Sequence, residues 1–102
     1  MEVIVVPAAE QQIREVDSWW RENRTAAPAL FAQELASALF LIESRPRIGR
    51  RRRHPAVPGL RRVLLRSTRY HVYYVPVTEA RVYVLAVWSA VRGKGPQLQR
   101  PL

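Results

Sequence analysis

The chain has 102 residues, 48% of them apolar and 25% charged, with 17 basic side chains against 8 acidic ones and no cysteine. That length accommodates one compact domain, the apolar share excludes a disordered chain, and the missing cysteines exclude a disulfide scaffold, a thiolate zinc site and a cysteine nucleophile. The net charge of +9 is carried by arginine, with Lys94 the single lysine, and favours an anionic partner, either nucleic acid or an acidic protein.

Residues 2–6 read as a short strand, a continuous β-branched run ended by Pro7 and expected to be buried on both faces. From Ala9 to about Asn23, Ala9, Ile13, Val16 and Trp20 recur at helical steps, so that Glu10, Arg14, Asp17 and Arg21 face solvent. Pro28 suits the first turn of a second helix that runs to about Ser44. Its inward stripe is Phe31, Leu35, Ala38, Leu39 and Ile42, while Leu30, Phe40 and Leu41 widen the apolar surface beyond one buried face.

Pro46 and Gly49 stop that helix, and residues 50–54, four arginines and a histidine, read as a loop. Residues 60–66 alternate with the two-residue period of a half-buried strand, and residues 70–77 and 81–88 form a hairpin pair rich in valine and tyrosine. The order β-α-α-β-β-β implies an α+β fold, a helical hairpin packed on one face of a small, mainly antiparallel sheet whose other face is open or half open. Residues 1–102 are expected to make a single domain. Residues 89–102 are its extended or flexible tail, adding little to the core, and residues 93–102 are expected to be removable with little loss of stability.

Glu2 stands where a signal peptide carries positive charge, and the longest uncharged run, residues 82–91, is short of the roughly 18–20 residues that span a bilayer. A cytoplasmic protein without a membrane partner is expected. His54 and His71 are far apart in sequence and share no short spacing with paired carboxylates, so neither a metal site nor a cofactor is expected. No serine sits in a nucleophile elbow. The arginine run at 50–53 reads either as a solvated loop or as a contact for phosphate or an acidic partner. His71 reads as a hydrogen-bonded sheet residue or as a base beside arginines, and Trp19 and Trp88 as rim residues of an interface.

At this point the chain resembles the RelE/ParE toxins of type II toxin-antitoxin systems, closer to ParE-like members. The likeness is carried by Pro7-Ala8-Ala9, Trp19-Trp20, Ile42-Glu43-Ser44-Arg45-Pro46-Arg47-Ile48-Gly49, Pro58-Gly59-Leu60-Arg61-Arg62, Tyr70-His71-Val72-Tyr73-Tyr74 and the run from Val84 through Trp88 to Gly93. The resemblance implies a growth-inhibiting toxin neutralised by a cognate acidic antitoxin. RelE-like members cut messenger RNA on the ribosome, and ParE-like members poison DNA gyrase. By position Arg62, His71 and Arg92 are similar to the RelE ribonuclease set, but Leu64 replaces an expected lysine, Ser89 replaces a histidine common in ParE-like sequences, and no tyrosine follows Tyr83. These departures favour a ParE-like toxin that traps an enzyme and needs no catalytic set. Its expected target-binding residues are Trp88, Arg92 and Lys94, and its expected antitoxin-binding residues are Trp19, Leu30, Phe40, Leu41 and Arg51. Operator DNA would be met only through the antitoxin complex, which could assemble into higher oligomers. The alternatives are a RelE-like ribosome-dependent endonuclease and a non-toxic basic module that contacts nucleic acid through residues 45–53.

Overall fold

The computed structural model describes residues 1–101; Leu102, the end of the expected tail, lies outside the described residues. Strand β1 (Glu2–Val5) leads into helix α1 (Pro7–Asn23), which begins two residues before the expected start because Pro7 fits the first turn, where no amide donor is required. Residues 24–29 connect it to α2 (Leu30–Ser44). Strands β2 (Arg50–Arg51), β3 (Arg61–Leu65), β4 (Tyr70–Pro76) and β5 (Arg81–Ser89) complete one five-stranded sheet in the order β1-β5-β4-β3-β2. Only β1 with β5 pairs parallel. The expected helical hairpin on a mainly antiparallel sheet is the observed fold.

The stripes read from the sequence face the sheet. Ala9 and Trp20 of α1 and Phe31, Leu35, Ala38 and Ile42 of α2 are buried with Leu65, Val72, Tyr74, Val82, Val84 and Val87. The edge strand β1 packs on both faces, Val3 and Val5 into this cluster and Ile4 into a second one, but only partly buried. Helix α2 is tied to the β3–β4 turn by Glu34, whose carboxylate accepts the amides of Ser67 (2.7 Å) and Thr68 (3.0 Å) and the Thr68 hydroxyl (2.6 Å). Burial works against that carboxylate's charge, but these hydrogen bonds outweigh it and hold its pKa below the ordinary value.

Three features depart from the sequence reading. The arginine run is not wholly loop, since Arg50 and Arg51 pair with Arg62 and Arg61 as the sheet's edge strand. What holds it is distant in sequence: the Arg61 guanidinium donates to the carbonyls of Arg47 (3.2 Å) and Gly49 (2.8 Å), and the Gly49 amide donates to the Tyr74 hydroxyl at 2.7 Å. At Gly49 a Cβ would lie 2.6 Å from that hydroxyl and 2.9 Å from the Arg62 carbonyl, so only glycine fits.

The second sheet face is also not open. Val57, Leu60 and Leu98 bury Tyr73, Val75, Tyr83, Leu85 and Ala86 there. Residues 90–101 contain no helix or strand, yet Leu98 is only 8% exposed, which corrects the expectation that the tail adds little to the core. Finally, β5 departs from strict alternation. Between the pairs Tyr74↔Val84 and Tyr73↔Ala86 the register shifts by a bulge, so the consecutive residues Leu85 and Ala86 both join the second face while Val84 and Val87 face the helices.

Candidate functional site

The bulge determines where the end of β5 points. β1 pairs with β5 only as far as Val84, so the edge of residues 85–89 has no strand beside it. There the Val87 amide donates instead to the Gln12 side-chain carbonyl of α1 at 2.8 Å. A cleft of about 490 Å³ opens at this edge, lined by Trp19, Gln12, Val87, Trp88, Ser89 and Arg92. The Trp88 indole N–H donates to the Lys94 carbonyl at 2.8 Å, and the Arg92 guanidinium lies 4.6 Å from the Trp88 ring centre. Cation–π contact of this kind holds a flexible cation in place without neutralising it.

The structure thus places the Arg92 guanidinium and the Lys94 backbone beside Trp88, the three residues that the family resemblance named. It also adds Trp19, which the sequence reading assigned to the antitoxin surface. Trp19 is 43% exposed, with the Arg24 guanidinium 4.8 Å from its ring centre. No sequence spacing joins Trp19 to Trp88, because the two line one cleft only where β1 ends early and the edge of β5 is left to α1.

A second group lies across β2, β3 and β4. Arg62 pairs across strands with Tyr73 and donates to its hydroxyl at 3.2 Å, and His71 pairs with Trp88 on the next strand. Arg62 and His71 therefore share the second sheet face, whereas Arg92 lines the cleft beside α1, its guanidinium close to the Trp88 ring. Burial, and then the charges of Arg62, Arg52 and Arg69, lower the His71 pKa, which leaves the imidazole neutral at pH 7. Tyr83, the last tyrosine in the chain, packs in the second cluster.

The remaining expected residues are dispersed. Phe40 (68% exposed) and Leu41 (44%) form an apolar patch toward the end of α2. Leu30, at the start of that helix, is partly buried against the core. Arg51 is exposed on the edge strand, in register with Arg61 and so on the helix side of the sheet. Among the described residues there is no cluster of histidine and carboxylate side chains that could hold a metal ion, and no helix is long and apolar enough to cross a membrane.

Comparison with known proteins gives a consistent picture. The family model described as the ParE toxin of type II toxin-antitoxin system, parDE, matches residues 3–92. Among solved structures the chain is similar to the chromosomal ParDE TA system from P. aeruginosa, with a TM-score of 0.68 at 17% identity over 87% of this chain and 95% of that one. It is also similar to the intact E. coli RelBE toxin-antitoxin complex, with a TM-score of 0.58 at 22% identity over 88% of this chain and 96% of that one. The isolated E. coli RelE toxin has the same score and identity over 90% of this chain and 86% of that one. No curated protein matches the sequence. At these identities the structural likeness speaks for the fold alone.

Proposed function

This chain belongs to the ParE toxin family of type II toxin-antitoxin systems, and from that premise we propose that it arrests bacterial growth in the cytoplasm by binding and trapping DNA gyrase, and that a cognate acidic antitoxin neutralises it. The observation that carries this reading is the assembly of Trp88, Arg92, Lys94 and Trp19 around the open end of β5. Tryptophan and arginine are enriched among the few residues that carry most of the binding energy of protein interfaces. The acid–base groups a nuclease would need are sparse here. Ser89 follows Trp88, and no tyrosine follows Tyr83. A toxin that acts by trapping an enzyme needs a rigid surface instead.

The antitoxin reading rests on charge and on the apolar patch. A +9 chain with Phe40 and Leu41 exposed on a helix is suited to an acidic segment that folds against it, apolar residues in the lane and carboxylates at its borders. Arg51 on the edge strand and Trp19 on α1 would extend that contact.

Expression of the chain alone should arrest growth, and co-expression of the adjacent reading frame should rescue it. Gyrase poisoning predicts induction of the DNA-damage response with transcripts intact, together with loss of arrest in an R92A variant that melts like the wild type. The alternative is a RelE-like ribosome-dependent ribonuclease. It is favoured by one observation, the placement of Arg62 and His71 together on the second sheet face, and it predicts cuts within translated codons by primer extension. Healthy growth with the lone chain would overturn both.

A further inference from the structure

Beside the Trp88 end of β5, a second cleft of about 670 Å³ crosses β2, β3 and β4, and the cations Arg50, Arg62, Arg66 and Arg69 line it with His71. Among the described residues none of these arginines has an acidic partner; the ion pairs are Arg14–Glu10, Arg21–Asp17 and Arg81–Glu2. The chain has few acids to give, since Glu79 is the only one after Glu43. Four guanidinium groups held together without counter-charges repel one another, and folding has not dispersed them.

Arg69 adds an independent observation. It is the one non-glycine residue with positive φ among the described residues, at +67° in the turn between β3 and β4. Glycine takes that conformation without strain and arginine does not. The turn needs the geometry, because the Arg69 amide donates to the Leu65 carbonyl at 2.8 Å and its own carbonyl accepts the Ala90 amide at 2.8 Å. Arginine at a position where glycine would relax the backbone points to a use for its side chain, and that side chain lines the cleft. The Arg62 guanidinium, fixed by its hydrogen bond to Tyr73, is a preset donor at the other side. The His71 pKa is lowered first by burial and then by the charges of Arg62, Arg52 and Arg69, two of which line the cleft.

We infer that this cleft is a binding site for the phosphodiester backbone of duplex DNA, so that the toxin engages its target as a DNA-bound enzyme, with protein contacts from the Trp88 end of β5 and phosphate contacts from Arg66, Arg69, Arg50 and Arg62. This deepens the gyrase reading and rests on it for the identity of the DNA-bound partner. The cleft's affinity for duplex can be measured without gyrase. Guanidinium groups gathered in one cleft, two on strands and two in the β3–β4 turn, can each meet a phosphate of a backbone, every contact releasing condensed counterions.

The test is fluorescence anisotropy of the full-length chain with a labelled 20-base-pair DNA duplex, and with a single-stranded RNA of equal length, across a salt series. The expected result is duplex binding whose affinity falls steeply with salt, with a slope corresponding to about three or four neutralised phosphates. In the R66Q/R69G double variant affinity should fall about tenfold and the slope should drop by about two. Its melting temperature should not decrease, because glycine takes the positive φ of that turn freely. An R14Q/R21Q variant, which removes the same net charge from α1, should bind within about twofold of the wild type. Absence of duplex binding at low salt, or equal loss in both double variants, would overturn the proposal. So would tighter binding of RNA than of duplex. In parallel, R66Q/R69G should need a higher concentration than wild type to trap gyrase on DNA. If wild type binds duplex through this cleft and leaves gyrase untouched, the phosphate site stands and the gyrase reading falls.

Discussion

At the scale of single residues, two positions hold the edge of the sheet and the β3–β4 turn. Gly49 admits no side chain, because an added Cβ meets the Tyr74 hydroxyl and the Arg62 carbonyl, the latter being backbone that cannot rotate away. G49A should lower stability by about 2–3 kcal/mol through overpacking and detach β2 from β3. Y74F, which leaves the Gly49 amide without its acceptor, should cost about 1–2 kcal/mol. Urea unfolding of both variants measures this, and an unchanged midpoint for G49A would refute the close approach. Glu34 makes stability depend on pH. Its folded pKa lies below the unfolded one, so its contribution is fully present above the unfolded value and is lost as pH falls through the folded value. The stability difference between wild type and E34Q should therefore be roughly 1 kcal/mol at neutral pH, given the partial solvent screening, and should shrink in the acid range below the ordinary carboxylate pKa. A difference independent of pH would show that the charge is not what ties α2 to the turn.

Among the elements, the C-terminal segment and β5 act together. Leu98 covers the second sheet face with Val57 and Leu60, while Lys94 accepts the Trp88 indole N–H through its backbone carbonyl. Removal of residues 93–102 therefore uncovers Tyr73, Tyr83 and Leu85 and leaves the Trp88 indole without its partner. Such a truncation should lower the melting temperature, and L98A alone should cost about 2 kcal/mol. The K94A variant keeps the backbone carbonyl, so it should melt like the wild type. On the proposed reading it should weaken growth arrest through loss of a cation at the interface. If the truncated chain melts normally, the packing of Leu98 is unimportant. If K94A arrests growth fully, the lysine side chain lies outside the target surface.

At the scale of the whole molecule, the acids and cations are unevenly distributed along the chain. Seven of the eight acidic residues lie in β1, α1 and α2, at positions 2, 10, 15, 17, 22, 34 and 43, and only Glu79 lies beyond them. The sheet side therefore carries most of the +9 charge, and the field of the molecule is directional. Association with an acidic partner should be fast at low salt and slow markedly as salt rises, while dissociation should change much less, because screening acts chiefly on the encounter. Stopped-flow measurement across a salt series with the proposed acidic antitoxin tests this. An association rate indifferent to salt would mean that apolar contact at Phe40 and Leu41 governs recognition from the first encounter.

The element types, the two helical stripes and the strand alternation of β3 were legible in the sequence because each depends on residues a few positions apart. Periodicity alone places Ala9, Ile13, Val16 and Trp20 on one helix face and separates Val63 and Leu65 from Arg62 and Leu64. The choice of Trp88, Arg92 and Lys94 came from the family resemblance, and their closeness in space follows from lying within seven consecutive positions. What only the tertiary structure decided depends on long-range pairing. The parallel place of β1 beside β5 leaves the last residues of β5 to α1 and so brings Trp19 to Trp88. The edge strand β2 exists because Arg61 and Tyr74 reach back to residues 47–49. The bulge in β5 moves Leu85 and Ala86 to one face against the local pattern, and the buried Leu98 depends on a surface assembled from four other segments. A sequence specifies its local periodicities directly, whereas edges, bulges and clefts arise when segments compete for the same partner, and that competition is resolved only in the folded chain.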